Sequence, residues 1–129
     1  MRKTLCVFAA AFAWGSAVAA WELVGDGEAV SHYYDPASIQ RRGTIGSVDI
    51  LHDMKVRSRH GELSARYTAE LDCEHERWRL DRFTSYEGNR EMGRVIAEYR
   101  SGPDEAPREW RPLPGDSGFM RIFHSVCGD

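Results

Sequence analysis

Two cysteines, Cys73 and Cys127, constrain this chain more than any other feature. A third, Cys6, lies in an N-terminal stretch that reads as an export signal and is expected to leave with it. An even pair in an exported domain of about a hundred residues reads as one disulfide. Joining residues 54 apart would fasten a central strand to the last turn of the chain. In the chain-entropy model a loop of that length contributes about 4 kcal/mol. A single domain of about 110 residues has little margin on surface-to-volume grounds, so this is a large share of a net stability of the order of 5–15 kcal/mol.

The export signal has three physical regions. Arg2 and Lys3 give the positive start, and the run from Leu5 to Phe12, continuing to Trp14, gives the apolar stretch. Gly15, Ser16, Ala17, Ala19 and Ala20 then supply the small residues that a signal peptidase accepts. Ala17 and Ala19 form the A-x-A pair, which places cleavage after Ala19, with cleavage after Ala20 also compatible. Residues 1–19 are therefore expected to be removed, leaving residues 20–129 as one domain. The apolar run is shorter than the roughly twenty residues of a membrane span, and nothing downstream is long or apolar enough. Cys6 follows Lys3, Thr4 and Leu5 rather than small residues, so it is not a lipid-attachment site. The expected product is exported to the periplasm or outer cell surface, with no lipid anchor and no stable membrane span.

Removing Arg2 and Lys3 from the seventeen basic residues leaves fifteen against twenty acidic ones, a balance of −5. That excludes general nucleic-acid binding, which requires a basic domain. Lys55 is the one lysine left, and the other basic residues are arginines, suited to planar, bidentate pairing with carboxylates or sulfates.

Most of the chain reads as short strands. Trp21 to Val24 and Ala29 to Tyr34 are the first two, separated by the Gly25-Asp26-Gly27 turn signal. Asp35-Pro36 is expected to stop the second, because Pro36 lacks an N–H and restricts Asp35. A helical turn over Pro36 to Gln40 and a left-handed Gly43 would follow. Ile45 to Val56 alternates, with Val48, Ile50, His52 and Met54 on one side. Tyr67, Ala69, Leu71 and Cys73 share one face of the next strand, with Arg66, Thr68, Glu70 and Asp72 on the other. Trp78 and Leu80 fall out of phase with Cys73, which requires a turn or bulge near Glu74 to Arg77. Val95 to Tyr99 is a final strand, and the Pro-rich stretch from Gly102 to Gly115 reads as a surface connection.

The period then changes. Asp116 or Ser117 can cap a helix, after which Phe119, Ile122, Phe123 and Val126 recur at i, i+3, i+4 and i+7. Docking that stripe on the sheet brings Cys127 towards Cys73. The expected fold is α+β, a mainly antiparallel β-sheet covered by one C-terminal α-helix and locked by one disulfide.

Catalytic patterns are missing. The five histidines stand far apart, without metal-ligand spacing, and a disulfide-bonded Cys73 cannot act as a thiolate beside His75. Gly115-Asp116-Ser117-Gly118 lacks the nucleophile-elbow spacing, and no phosphate-cradling glycine loop is present. The chain is expected to be neither an enzyme nor a holder of a metal or cofactor. Its candidate contact residues are arginines interleaved with aromatics, a pairing common in interface anchors. They are Arg57 and Arg59 at a hairpin tip beside His60, and Arg77, Trp78, Arg79 and Arg82 on one strand beside Phe83. An exposed edge strand also allows two copies to pair as a homodimer.

Several short segments in order resemble the surface-adhesin protein E family of exported bacterial proteins. They are Trp21, the run Tyr33-Tyr34-Asp35-Pro36-Ala37-Ser38-Ile39, Asp72-Cys73-Glu74 with Arg77 and Arg79, Gly93-Arg94-Val95, the approach from Trp110 to Gly115, and the closing Val126-Cys127. The resemblance spans nearly the whole mature chain. It implies an antiparallel sheet with a C-terminal helix and paired cysteines. It also implies an adhesin-like role, since known members bind host matrix proteins such as vitronectin and laminin. A periplasmic protein that binds or inhibits an envelope partner is the alternative.

Overall fold

In the computed structural model, alternating apolar and polar residues become an antiparallel meander. Residues 19–103, 105 and 108–128 are described, so the expected export signal, apart from Ala19, lies outside them. Strands β1 (Glu22–Asp26), β2 (Val30–Arg42), β3 (Ile45–Met54), β4 (Ser64–Asp72), β5 (Arg77–Tyr86) and β6 (Val95–Arg100) pair with their neighbours in chain order. A two-residue strand, β7 (Arg111–Pro112), pairs with the start of β5. The chain closes with helix α1 (Ser117–Cys127). The α+β architecture expected from the sequence is thus present.

One face of the sheet is covered by the helix. Val24, Tyr34, Val48, Ile50, Ala69 and Leu71 pack against Phe119, Ile122, Phe123 and Val126 to form the core. The four helical residues are the stripe read from the i, i+3, i+4, i+7 pattern. Asp116 caps α1 by accepting a hydrogen bond from the Phe119 N–H at 2.8 Å. At the other end Arg41 Nη1 donates to the Val126 carbonyl at 3.0 Å, satisfying one of the acceptors that a helix C-terminus leaves open. The Cys73–Cys127 disulfide joins that end to the turn after β4. Gly46 makes the close approach possible, since a Cβ there would overlap Val126 Cγ1.

The structure departs from the expected helical turn over Pro36 to Gln40. The segment remains within β2 as an irregularity, pairing lapsing after Asp35↔Asp49 and resuming at Gln40↔Ser47. Side chains replace the missing ladder bonds. Asp35 Oδ1 accepts from the Ala37 N–H at 3.0 Å. Ser38 Oγ donates to the Asp35 carbonyl at 2.6 Å and accepts from the Asp49 N–H at 2.8 Å. These short polar side chains compete with a helical turn for the same backbone groups. Gly43 does adopt the left-handed conformation expected of it, with φ 62°.

Candidate functional site

Among the described residues no helix covers the other face of the sheet. Asp49, Leu51 and Asp53 of β3, Arg66, Thr68, Glu70 and Asp72 of β4, and Arg77, Arg79, Arg82 and Thr84 of β5 point to this side. The register pairs Asp72 with Arg77, Glu70 with Arg79, and Thr68 with Arg82. Arg79 and Arg82 are three residues apart, a spacing that in a regular strand would place them on opposite faces. A bulge in β5 inserts Asp81 between the pairs Ala69↔Leu80 and Thr68↔Arg82, and so returns Arg82 to the row of Arg77 and Arg79.

Each arginine in the row has a defined anchor. Arg77 Nε lies 2.8 Å from Asp72 Oδ2, and Arg79 Nη2 lies 2.8 Å from Glu70 Oε2. Asp72 is buried, which alone would raise its pKa. Hydrogen bonds from Arg77, from the backbone N–H of His75 and from the His75 ring outweigh that and lower it to about 2. The Asp72–Arg77 pair therefore closes the turn that the sequence required between residues 74 and 77. Trp110, delivered by the approach to β7, lies over both guanidinium groups, with its ring centroid 4.9 Å from Arg77 and 4.3 Å from Arg79. Each such stack contributes about 0.5–1 kcal/mol when exposed. The outcome is a half-exposed indole held on two arginines at one end of the open face.

Next along the sheet, Arg82 Nε donates to Thr68 Oγ1 at 3.0 Å. Thr68 Oγ1 donates to Asp49 Oδ1, and Arg66 Nη2 to Asp49 Oδ2, both at 2.7 Å. Arg66, Arg82 and Arg100 line a hollow of about 270 Å³ with Asp49, Thr68 and Thr84. Beyond it the loop after β5 folds over the face. Asn89 Nδ2 and the Arg90 N–H both donate to Asp53 Oδ1 at 3.0 Å. Arg90 stacks on Tyr33 and Arg66 on Trp21, while Leu51, in register between Tyr33 and Arg66, is fully buried.

The candidate contact residues do not form one patch. Arg77, Arg79 and Arg82 share the open face, but Trp78 points the other way and packs on Phe119, with ring centroids 5.7 Å apart. Arg57 and Arg59 lie in the turn between β3 and β4, at the opposite end of β4 from the Asp72–Arg77 pair. Arg57 Nη1 donates to the carbonyls of Gly61 and Glu87, both at 2.8 Å, so it joins two turns, and Arg59 is exposed. Trp110, Arg66 and Arg100 also belong to the face but are not among the contact residues expected from the sequence. Arg66 was discoverable from the polar side of the β4 alternation. Trp110 sits in a non-periodic, Pro-rich stretch and carried no such signal.

A second hollow, of about 220 Å³, opens between sheet and helix, where His32, His52, Tyr67 and Asp116 meet apolar walls that include Trp78 and Phe119. Tyr67 Oη and His52 Nε2 are 2.9 Å apart. Burial, aided by the neighbouring His32 and opposed by Asp116, lowers the His52 pKa to about 4. Among the described residues no group of three or more His, Cys, Asp or Glu side chains is placed to hold a metal ion, and no helix is long and apolar enough to cross a membrane.

A family model described as surface-adhesin protein E matches residues 21–128. Two solved structures are similar in fold. Crystal form II of Haemophilus influenzae protein E is 15% identical, with a TM-score of 0.54 over 86% of this chain and 96% of that one. Protein E from non-typeable Haemophilus influenzae is 17% identical, with a TM-score of 0.50 over 81% of this chain and 74% of that one. No curated protein matches the sequence.

Proposed function

The chain belongs to the surface-adhesin protein E family, and from that premise we propose that its open sheet face engages host extracellular-matrix proteins of the vitronectin or laminin type. As a member it is an exported, non-catalytic binding protein. The observation that carries the proposal is the row of Arg77, Arg79 and Arg82 with Trp110 stacked on its first two members. Tryptophan and arginine are the residues most enriched at the energetic centres of protein interfaces. Here the indole and guanidinium groups are already oriented by Asp72, Glu70 and Thr68, so little side-chain entropy remains to be lost on binding. Acidic loops of a partner would meet fixed guanidinium forks.

The test is binding of the purified mature protein to immobilised vitronectin and laminin, beside the variants Arg79→Glu and Trp110→Ala. Arg77 is left intact because it neutralises the buried Asp72. Salt-sensitive binding that weakens about tenfold or more in either variant supports the face, that being the loss of one interface anchor. Equal binding by wild type and both variants sinks the site.

A second reading, a periplasmic protein that binds or inhibits a basic envelope partner, draws on the mature balance of −5. Protease treatment of intact and permeabilised cells separates the two. Digestion on intact cells supports a surface role, and protection until permeabilisation supports the periplasmic one. The outer edge of β6, where Val95 is exposed, offers a strand for pairing two copies; analytical ultracentrifugation would register a dimer, and a strictly monomeric protein would exclude it.

A further inference from the structure

Strands β5 and β6 set two exposed arginines directly against each other, Arg82 opposite Arg100. Like charges in register across a strand pair destabilise it. Among the described residues neither forms an ion pair. Asp49, the acid that lines the hollow, is already occupied, with one oxygen taken by Arg66 and the other by Thr68. Thr68 in turn holds Arg82 by its Nε alone, which leaves the two terminal nitrogens of Arg82 without a protein acceptor among the described residues. The hollow is therefore pre-shaped and carries more guanidinium charge than its own carboxylates neutralise.

From this geometry we propose that Arg82 and Arg100 hold a sulfate ester of a sulfated polysaccharide. A carboxylate has two oxygens, and a single guanidinium fork satisfies it. Two arginines in register on neighbouring strands, whose backbones run about 4.8 Å apart, both line the hollow and together suit a group with three terminal oxygens. A phosphate monoester also has three, but its second negative charge is opposed by Asp49 and by Glu98 and Glu105, which border the adjoining space. A sulfate ester carries one charge. Trp110, half-exposed over the guanidinium of Arg79 on the same strand face, offers an apolar plane to a sugar ring. The inference rests on the open face being a binding face, but not on which matrix protein binds there.

Titration calorimetry of the mature protein with a fully sulfated heparin hexasaccharide tests it. The comparison set is the desulfated hexasaccharide, the variant R82Q/R100Q, and R121Q on the exposed side of α1. Wild type and R121Q are expected to bind the sulfated chain alike, more weakly at higher salt, and to ignore the desulfated one. R82Q/R100Q is expected to lose about tenfold or more in affinity, the loss of two charge-assisted contacts. Without ligand, R100Q is expected to melt no lower than wild type, because the repulsion has been relieved. No binding by wild type, or equal binding by R82Q/R100Q, overturns the proposal. Heparin binding that persists where vitronectin and laminin do not bind would leave this site standing and remove only the matrix-protein reading.

Discussion

Val48 and Leu71 on the helix-covered face of the sheet have no exposed surface, whereas Arg66 and Arg77 on the other face keep 38% and 41% of their side chains in water. The same strands supply both faces, with side chains alternating between them. On the covered face, apolar area removed from water contributes about 25 cal/mol per Å², and the disulfide adds its constraint at the helix end. On the open face, exposed ion pairs contribute about 0–1 kcal/mol each, so outside the buried Asp72 and its Arg77 the network of Asp49 and Glu70 with Arg66 and Arg79 does little for stability. What it does is fix the directions of guanidinium groups. Stability is thus concentrated on one side of the sheet and the proposed recognition on the other, and substitutions on the two sides should fail in different ways.

The largest effect is expected from the disulfide. Replacing Cys73 and Cys127 by serine should lower stability by about 4 kcal/mol, read from chemical denaturation; an unchanged midpoint would mean that the helix is held by packing alone. Ile122→Ala, in the centre of the covered face, should cost about 2–5 kcal/mol and leave partner binding by the folded fraction unchanged.

Acid should act on the two faces in succession. His52, under the helix, has a folded pKa of about 4 against an ordinary 6.5. Its unfolded form therefore takes up a proton first as pH falls. The stability linked to it is complete above about pH 6.5 and is lost by pH 4, about 3 kcal/mol in all. Asp72, on the open side, has its pKa lowered to about 2 from 3.8, so its contribution is present above about pH 4 and disappears below that. His52→Gln should flatten the first phase of a stability-against-pH curve and spare the second; an unaltered first phase would contradict the assignment. The smallest stability effect should come from Arg79→Ala, at most about 1 kcal/mol, yet this variant should lose partner binding. A large fall in its melting temperature would blur the division between the faces.

The covered face was the legible one. The stripe from Phe119 to Val126, the cap at Asp116 and the alternation through Tyr67, Ala69 and Leu71 are local patterns whose period reveals which side is buried. The cysteine pair was legible from compartment and number. The open face was legible only in pieces, because its geometry depends on departures from period. Asp81 is an extra residue that no propensity marks, and without it Arg82 would face the helix. Trp78 looked like a partner of the arginines because it lies between them in sequence, yet alternation sends it to the core. Trp110 reaches the site through β7, two residues long and too short to carry a pattern. Gly46 looks like a weak point in a strand until the helix it admits is in place.

The most direct test of the division uses two of the tryptophans as reporters, Trp78 beneath the helix and Trp110 on the open face. Indole N–H signals of the ¹⁵N-labelled mature protein would be followed by NMR as soluble vitronectin is added. The Trp110 signal and the backbone amides of Arg77 to Arg82 should shift or broaden while Trp78 and the outer side of α1 stay unchanged. Perturbation of Trp78 and α1 with Trp110 unmoved would place recognition on the helical side and contradict the account.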